Sequence, residues 1–98
     1  MPCLSVQYDL YKESGRVYKE LMDAIKALGP WCHALESLWL VKTAASPREV
    51  VKHLTPHLHK KDKVLVTPVE LDEGWWSQGL TKPVLDWLRS NLNTRRAG

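Results

Sequence analysis

The residues of this chain best suited to chemistry are one aspartate, a run of lysines and histidines, and a pair of tryptophans. Asp9 closes the segment Leu4-Ser5-Val6-Gln7-Tyr8-Asp9-Leu10, in which apolar Leu4, Val6, Tyr8 and Leu10 alternate with polar Ser5, Gln7 and Asp9. That is the period of a half-buried β-strand, so Asp9 belongs to the face turned away from the core. A lone carboxylate holds Mg²⁺ poorly, but Mg²⁺ keeps most of its waters and often takes one or two protein carboxylates beside phosphate oxygens. A two-fold dimer bringing two Asp9 side chains together would supply such a pair for Mg²⁺ or Mn²⁺, with water as nucleophile. The competing role is structural, because a short Asp side chain after a strand commonly caps the next loop. Asp9 is therefore the candidate catalytic and metal-binding residue, with loop capping as its alternative.

Lys52, Lys60, Lys61 and Lys63 gather with His53, His57 and His59, and Arg95-Arg96 follow near the end of the sequence. Clustered cations suit a phosphate backbone, which makes Lys52, Lys60, Lys61, Arg95 and Arg96 the candidate nucleic-acid contacts. A solvated helix end with a frayed tail explains the same residues without a ligand. The formal net charge of +3 permits either.

His53 and His57 share a helix face at their spacing of four, with His59 close by. A zinc site needs three or four convergent ligands, and Pro56 interrupts the helix between these histidines. A solvated polar face is the expectation. His33 falls in a strand without a recognisable partner, which suits a core or interface role. No nucleophile motif, phosphate-cradling glycine loop or zinc-finger spacing is present. Five tryptophans are many for 98 residues, and most should be buried in the core or an interface. Trp75-Trp76 falls in a loop. The pair is a candidate partner-binding anchor or a lid over a sheet face.

Ninety-eight residues form one domain, 44% apolar and 26% charged. No apolar run approaches the roughly 18 residues that span a bilayer. Met1-Pro2-Cys3 lacks the basic and long apolar regions of a signal peptide, so the expectation is a cytoplasmic protein with Cys3 and Cys32 reduced.

These residues are positioned by a readable order of elements. After the first strand, Ser14 can cap a helix whose stripe is Val17, Leu21, Ile25 and Leu28, closed by Gly29-Pro30 with Gly29 as the left-handed C-terminal residue. Trp31 to Thr43 is extended. As one strand it would span about 43 Å, too long for this domain, so a break near Glu36-Ser37 is expected. Ser46-Pro47-Arg48-Glu49 is a capping box with proline at the first helical position. The stripe Val50, Val51, Leu54, Leu58 follows, and Pro56 should end the helix near Thr55. Val64-Leu65-Val66-Thr67 is a short strand, and Pro68 places it at a sheet edge. A helix from about Thr81 carries Leu80, Val84, Leu85, Leu88 and Leu92, with Pro83 in its first turn.

Strand–helix–strand–strand–helix–strand with right-handed crossovers predicts an α+β domain of ferredoxin-like βαββαβ type. Its antiparallel sheet would carry two helices on one face, with a C-terminal helix in addition. The core would run from about residue 3 to 71, and the last helix from about 80 to 92. Cys3, Ser5, Gln7 and Asp9 face the sheet's other side, which a second copy, a nucleic acid or the terminal helix should cover.

With this order in view, the chain resembles the small CRISPR-associated adaptation protein family, the non-integrase subunit of the spacer-acquisition complex. The matching stretches are Val6-Gln7-Tyr8-Asp9-Leu10, the helix closed by Leu28-Gly29, Glu36-Ser37-Leu38-Trp39 and Asp62-Lys63-Val64-Leu65-Val66. They span roughly residues 4–70. The resemblance implies a ferredoxin-like homodimer with Asp9 paired at the dimer cleft. It also implies either a metal-dependent nuclease acting on RNA or duplex DNA or a nucleic-acid-binding scaffold. The virulence-associated protein D group of ribonucleases shares that fold. The Trp75-Trp76 loop and C-terminal helix stand where the family has a short terminal strand that completes the partner's sheet or docks the integrase. The expectation is thus a stand-alone relative without an integrase partner.

Overall fold

Alternation produces the first strand. In the computed structural model, which describes residues 2–11, 18–70 and 74–92, β1 runs Cys3–Asp9. Leu4 and Val6 are buried on one face, and Asp9 is exposed on the other. Helix α1 spans Lys19–Lys26 and buries Leu21, Ala24 and Ile25, as its stripe requires. The anticipated cap Ser14 and the stripe residue Val17 lie outside the described residues.

The extended stretch breaks where its length demanded. Strands β2 (Trp31–Leu35) and β3 (Leu38–Lys42) pair antiparallel across a turn at Glu36-Ser37. Neither turn residue has a positive φ, so the turn lacks the primed geometry that matches strand twist. The ladder accordingly shifts register between Cys32 and Leu35.

Gly29 has a role other than the expected helix cap. Its φ is 151°, and a Cβ there would collide with the Lys42 carbonyl oxygen. The helix instead ends at Ala27 in right-handed geometry. Glycine is required because two backbones meet, with Lys42 N donating to Pro30 O at 2.9 Å.

Helix α2 (Pro47–Leu54) opens on the full capping box. Glu49 N donates to Ser46 Oγ at 3.2 Å, and Ser46 N donates to Glu49 Oε1 at 3.0 Å. That backbone donor holds the Glu49 carboxyl below the usual carboxylate range. At Pro56 the helix tightens into a single 3-10 turn, Thr55–His57.

Strand β4 (Lys63–Pro68) pairs only with β1, giving the order β2-β3-β1-β4 with every neighbour antiparallel. Val69 N donates to Cys3 O, so the preceding residue, Pro68, turns its nitrogen to the open edge, where no ladder bond is lost.

Two layers flank the sheet. Leu4, Val6, Trp39, Val41 and Val66 pack with Leu21, Ile25, Val50 and Leu54, placing α1 and α2 on one face. Fully burying each such aliphatic side chain contributes about 1.5–3 kcal/mol, which makes this layer the main source of stability. On the opposite face, α3 (Lys82–Asn91) sets Leu88 and Leu92 against Cys32 and Leu40. Of the three candidate covers for that face, the chain's own terminal helix takes the β2/β3 half. The β1/β4 half is covered at its Ser5 end, where Cys3 and Val69 join that cluster, while among the described residues its Asp9 end is open, with Leu65 59% exposed. No helix of the described residues is long and apolar enough to cross a membrane.

Candidate nucleic-acid interface

The turn leading into β4 is organised by a residue that the sequence marks only as the first of a matching stretch. Asp62 is half-buried and accepts from Tyr11 N at 2.6 Å, His59 N at 2.6 Å and the Tyr18 hydroxyl at 2.8 Å. One carboxylate thereby ties the exit of β1, the start of α1 and the entrance of β4. Desolvation pushes its pKa up, but the Tyr11, His59 and Tyr18 donors outweigh it and hold Asp62 below its ordinary value of 3.8. Sequence offered no signal for this, because the donors lie up to 51 positions away.

Around this carboxylate the turn presents cations to solvent. Lys60, Lys61 and Lys63 are exposed. The Tyr11 ring stacks on His59 at 5.2 Å, and Lys61 Nζ lies 4.7 Å from its centroid. Among the described residues the ion pairs are Lys19–Asp23, His57–Glu20, Lys82–Asp86 and Arg89–Asp86, so none engages these three lysines. Asp62 is spent on uncharged donors. The turn therefore presents three exposed lysines, one of them over an aromatic ring, which is the local chemistry that phosphates and bases meet in nucleic-acid grooves.

The other expected contacts separate. Lys52 is exposed on α2, a helix whose opposite side buries Val50 and Leu54, so it projects from the outer helical layer rather than from the turn. Arg95 and Arg96 lie outside the described residues. His53 Nε2 is 3.0 Å from Ala24 O, and His57 Nδ1 is 3.8 Å from Glu20 Oε2, so these two histidines engage α1. The described residues hold no group of three or more His, Cys, Asp or Glu that could bind a metal ion.

Asp9 is exposed at the end of β1, the open end of the β1/β4 half, with Lys63 its register partner on β4. With Gln7, Tyr8, Val64 and Leu65 the pair lines a shallow depression of about 200 Å³. Among the described residues no second carboxylate lines this depression. Tyr8 points the other way. Its hydroxyl accepts from Trp39 Nε1 at 3.0 Å and donates to Glu36 O at 3.2 Å.

Trp75 and Trp76, expected to act as a pair, divide. Trp75 packs over Leu40 and Leu88 with its indole N–H toward Leu92 O at 3.4 Å, which is the lid role. Trp76 is 97% exposed. His33, expected in a core or an interface, is exposed and stacks on Trp39 at 4.0 Å. Cys3 and Cys32 are free thiols, and burial pushes both pKa values up, so neither is an activated nucleophile. Compared with protein-family models, with curated proteins and with solved structures, the chain matches none.

Proposed function

We propose that this chain is a ferredoxin-like domain that binds nucleic acid through the turn entering β4. The strand order β2-β3-β1-β4, with α1 and α2 on one face, supports the ferredoxin-like assignment. The observation that carries the binding role is the set of exposed lysines Lys60, Lys61 and Lys63, in no ion pair among the described residues, with Lys61 lying over the Tyr11 ring. Lysine ammonium groups there meet phosphate oxygens, and the turn's one acid, Asp62, is held by other donors. Resemblance to the CRISPR-associated adaptation proteins agrees with this reading, as a stand-alone relative in the cytoplasm. The test is affinity for a short duplex DNA and a short RNA. Reversing two charges in Lys60→Glu/Lys61→Glu is expected to weaken binding about 10- to 100-fold at moderate salt. Equal affinity in the double variant would refute the assignment.

Metal-dependent cleavage is a second reading, favoured by the exposure of Asp9 at the open end of the β1/β4 half. It requires a two-fold mate that contributes a second Asp9 carboxylate. Mg²⁺ or Mn²⁺ held by such a pair would supply an activated water. Wild type should then cut RNA or duplex DNA when the metal is added, and Asp9→Asn should not. Cleavage that persists in Asp9→Asn, or is missing from wild type, removes this reading and leaves the binding role standing.

A further inference from the structure

Strand β2 leaves aromatic rings in solvent at positions where alternation calls for buried side chains. Cys32 packs with Leu40, Leu88 and Leu92 on the α3 side of the sheet. Its neighbours Trp31 and His33 therefore turn to the side that holds α1 and α2. Both are exposed there, Trp31 at 40%. They rest on Trp39, a buried ring of the neighbouring β3. His33 stacks on it at 4.0 Å with 13° between the planes, and Trp31 leans on it at 5.2 Å. Trp39 is fixed in turn by its Nε1 bond to the Tyr8 hydroxyl, and His33 Nε2 lies 3.1 Å from Glu36 O. A ring covered on one face by Trp39 and exposed overall offers its other face to solvent. Lys26 Nζ lies 5.1 Å from the Trp31 centroid and is in no ion pair among the described residues. The Asp23 carboxylate on the same helix is taken by Lys19 at 2.8 Å.

We propose that Trp31 and His33 form a base-stacking platform, with Lys26 meeting the adjoining phosphate. The proposal rests on the nucleic-acid reading of the β4 turn and names the form of nucleic acid preferred. An unpaired base stacks on an aromatic face whatever its identity, whereas the bases of a duplex are already stacked on one another and cannot reach one. The platform therefore selects single strands. The lysines of the turn meet the backbone of either form.

The two sites share one end of the sheet. His33 is two residues from Leu35, which faces Leu38 on β3; Leu38 faces Gln7 on β1, and Gln7 faces Leu65, two residues from Lys63. In the order β2-β3-β1-β4 the backbones of the outer strands are three spacings apart, about 14 Å. A site of several nucleotides covers that span.

Fluorescence anisotropy of a labelled oligothymidine of about ten nucleotides, and of a duplex of the same length, tests the proposal. Wild type should hold the single strand more tightly. Trp31→Ala and His33→Ala should each weaken single-strand binding about 5- to 50-fold and leave duplex binding unchanged. Equal losses on both forms, or no loss on the single strand, overturn the platform. A second readout does not depend on how those variants fold. The unlabelled single strand should quench tryptophan fluorescence in wild type and also in Trp76→Phe, because Trp31 supplies the signal. Quenching that vanishes in Trp76→Phe would put the stacked base on that 97% exposed indole and overturn the inference. If wild type binds neither form, the nucleic-acid reading itself falls, and the platform with it. If duplex binding depends on Lys60 and Lys61 while the β2 variants change nothing, the platform alone falls.

Discussion

Asp62→Ala is expected to lower the unfolding free energy by about 2–3 kcal/mol. Three donors lose the Asp62 carboxylate at once: Tyr11 N, His59 N and the Tyr18 hydroxyl, which keeps a longer contact to Tyr11 O at 3.5 Å. A hydrogen bond to a charged group contributes about 1.5–3 kcal/mol, and the three do not add because water reaches this half-buried site after the carboxylate is gone. For a domain of this size the loss corresponds to a midpoint lower by about 10–15 °C. The pH dependence has a definite sign. A carboxyl depressed in the folded state stabilises the protein above its unfolded pKa, and that stabilisation disappears as pH falls through the folded value. Wild type should therefore lose stability from about pH 4 downward, relative to its ordinary value of 3.8. The Asp62→Ala curve should lack that component and converge with wild type in acid. Thermal denaturation followed from pH 7 to pH 2 measures both, and equal midpoints at neutral pH would show that Asp62 ties nothing.

Trp39→Ala should be more damaging still, at about 3–5 kcal/mol, the range for deleting a large aromatic side chain from a core. Trp39 is 1% exposed on β3 and packs against both α1 and α2 through their shared apolar cluster. Its ring also carries His33 at 4.0 Å and Trp31 at 5.2 Å, so the truncation unseats the outer β2 strand as well. Against a total stability of about 5–15 kcal/mol, the variant loses a large share of its folded population on warming. Trp39→Phe separates volume from polarity. It removes the donor to the Tyr8 hydroxyl but keeps most of the ring, and that hydroxyl retains Glu36 O. Its expected loss is about 1–2 kcal/mol. Urea denaturation of the two variants checks the ordering, and a similar loss in both would assign the effect to the hydrogen bond rather than to packing.

Local chemistry makes much of the scaffold legible in the sequence. Alternation located β1, length alone required the break at Glu36-Ser37, the Ser46–Glu49 box opened α2, and Pro56 and Pro68 marked a helix end and a sheet edge. These signals act within a few residues, so the sequence displays them directly. Gly29 was noticed for the wrong reason, since the carbonyl it accommodates belongs to Lys42, thirteen positions on. Asp62 was invisible as a hub because its donors converge only after β1, α1 and β4 have packed. The division of Trp75 from Trp76 had the same origin. Which neighbour is a lid depends on how α3 crosses the β2/β3 half of the sheet, and no local pattern encodes that crossing. Of the candidate contacts, Lys60 and Lys61 came together with Lys63, whereas Lys52 stands apart on α2 and Asp9 has gained only Lys63 opposite it.

The claim that the β4 turn meets phosphates is tested most directly by the salt dependence of duplex DNA binding. Each neutralised phosphate contributes about −0.9 to the slope of log K against log salt, so three lysines give a slope of about −3. Lys60→Glu/Lys61→Glu should flatten that slope to about −1 or abolish binding altogether. A wild-type affinity indifferent to salt, or a slope unchanged in the double variant, would contradict the account.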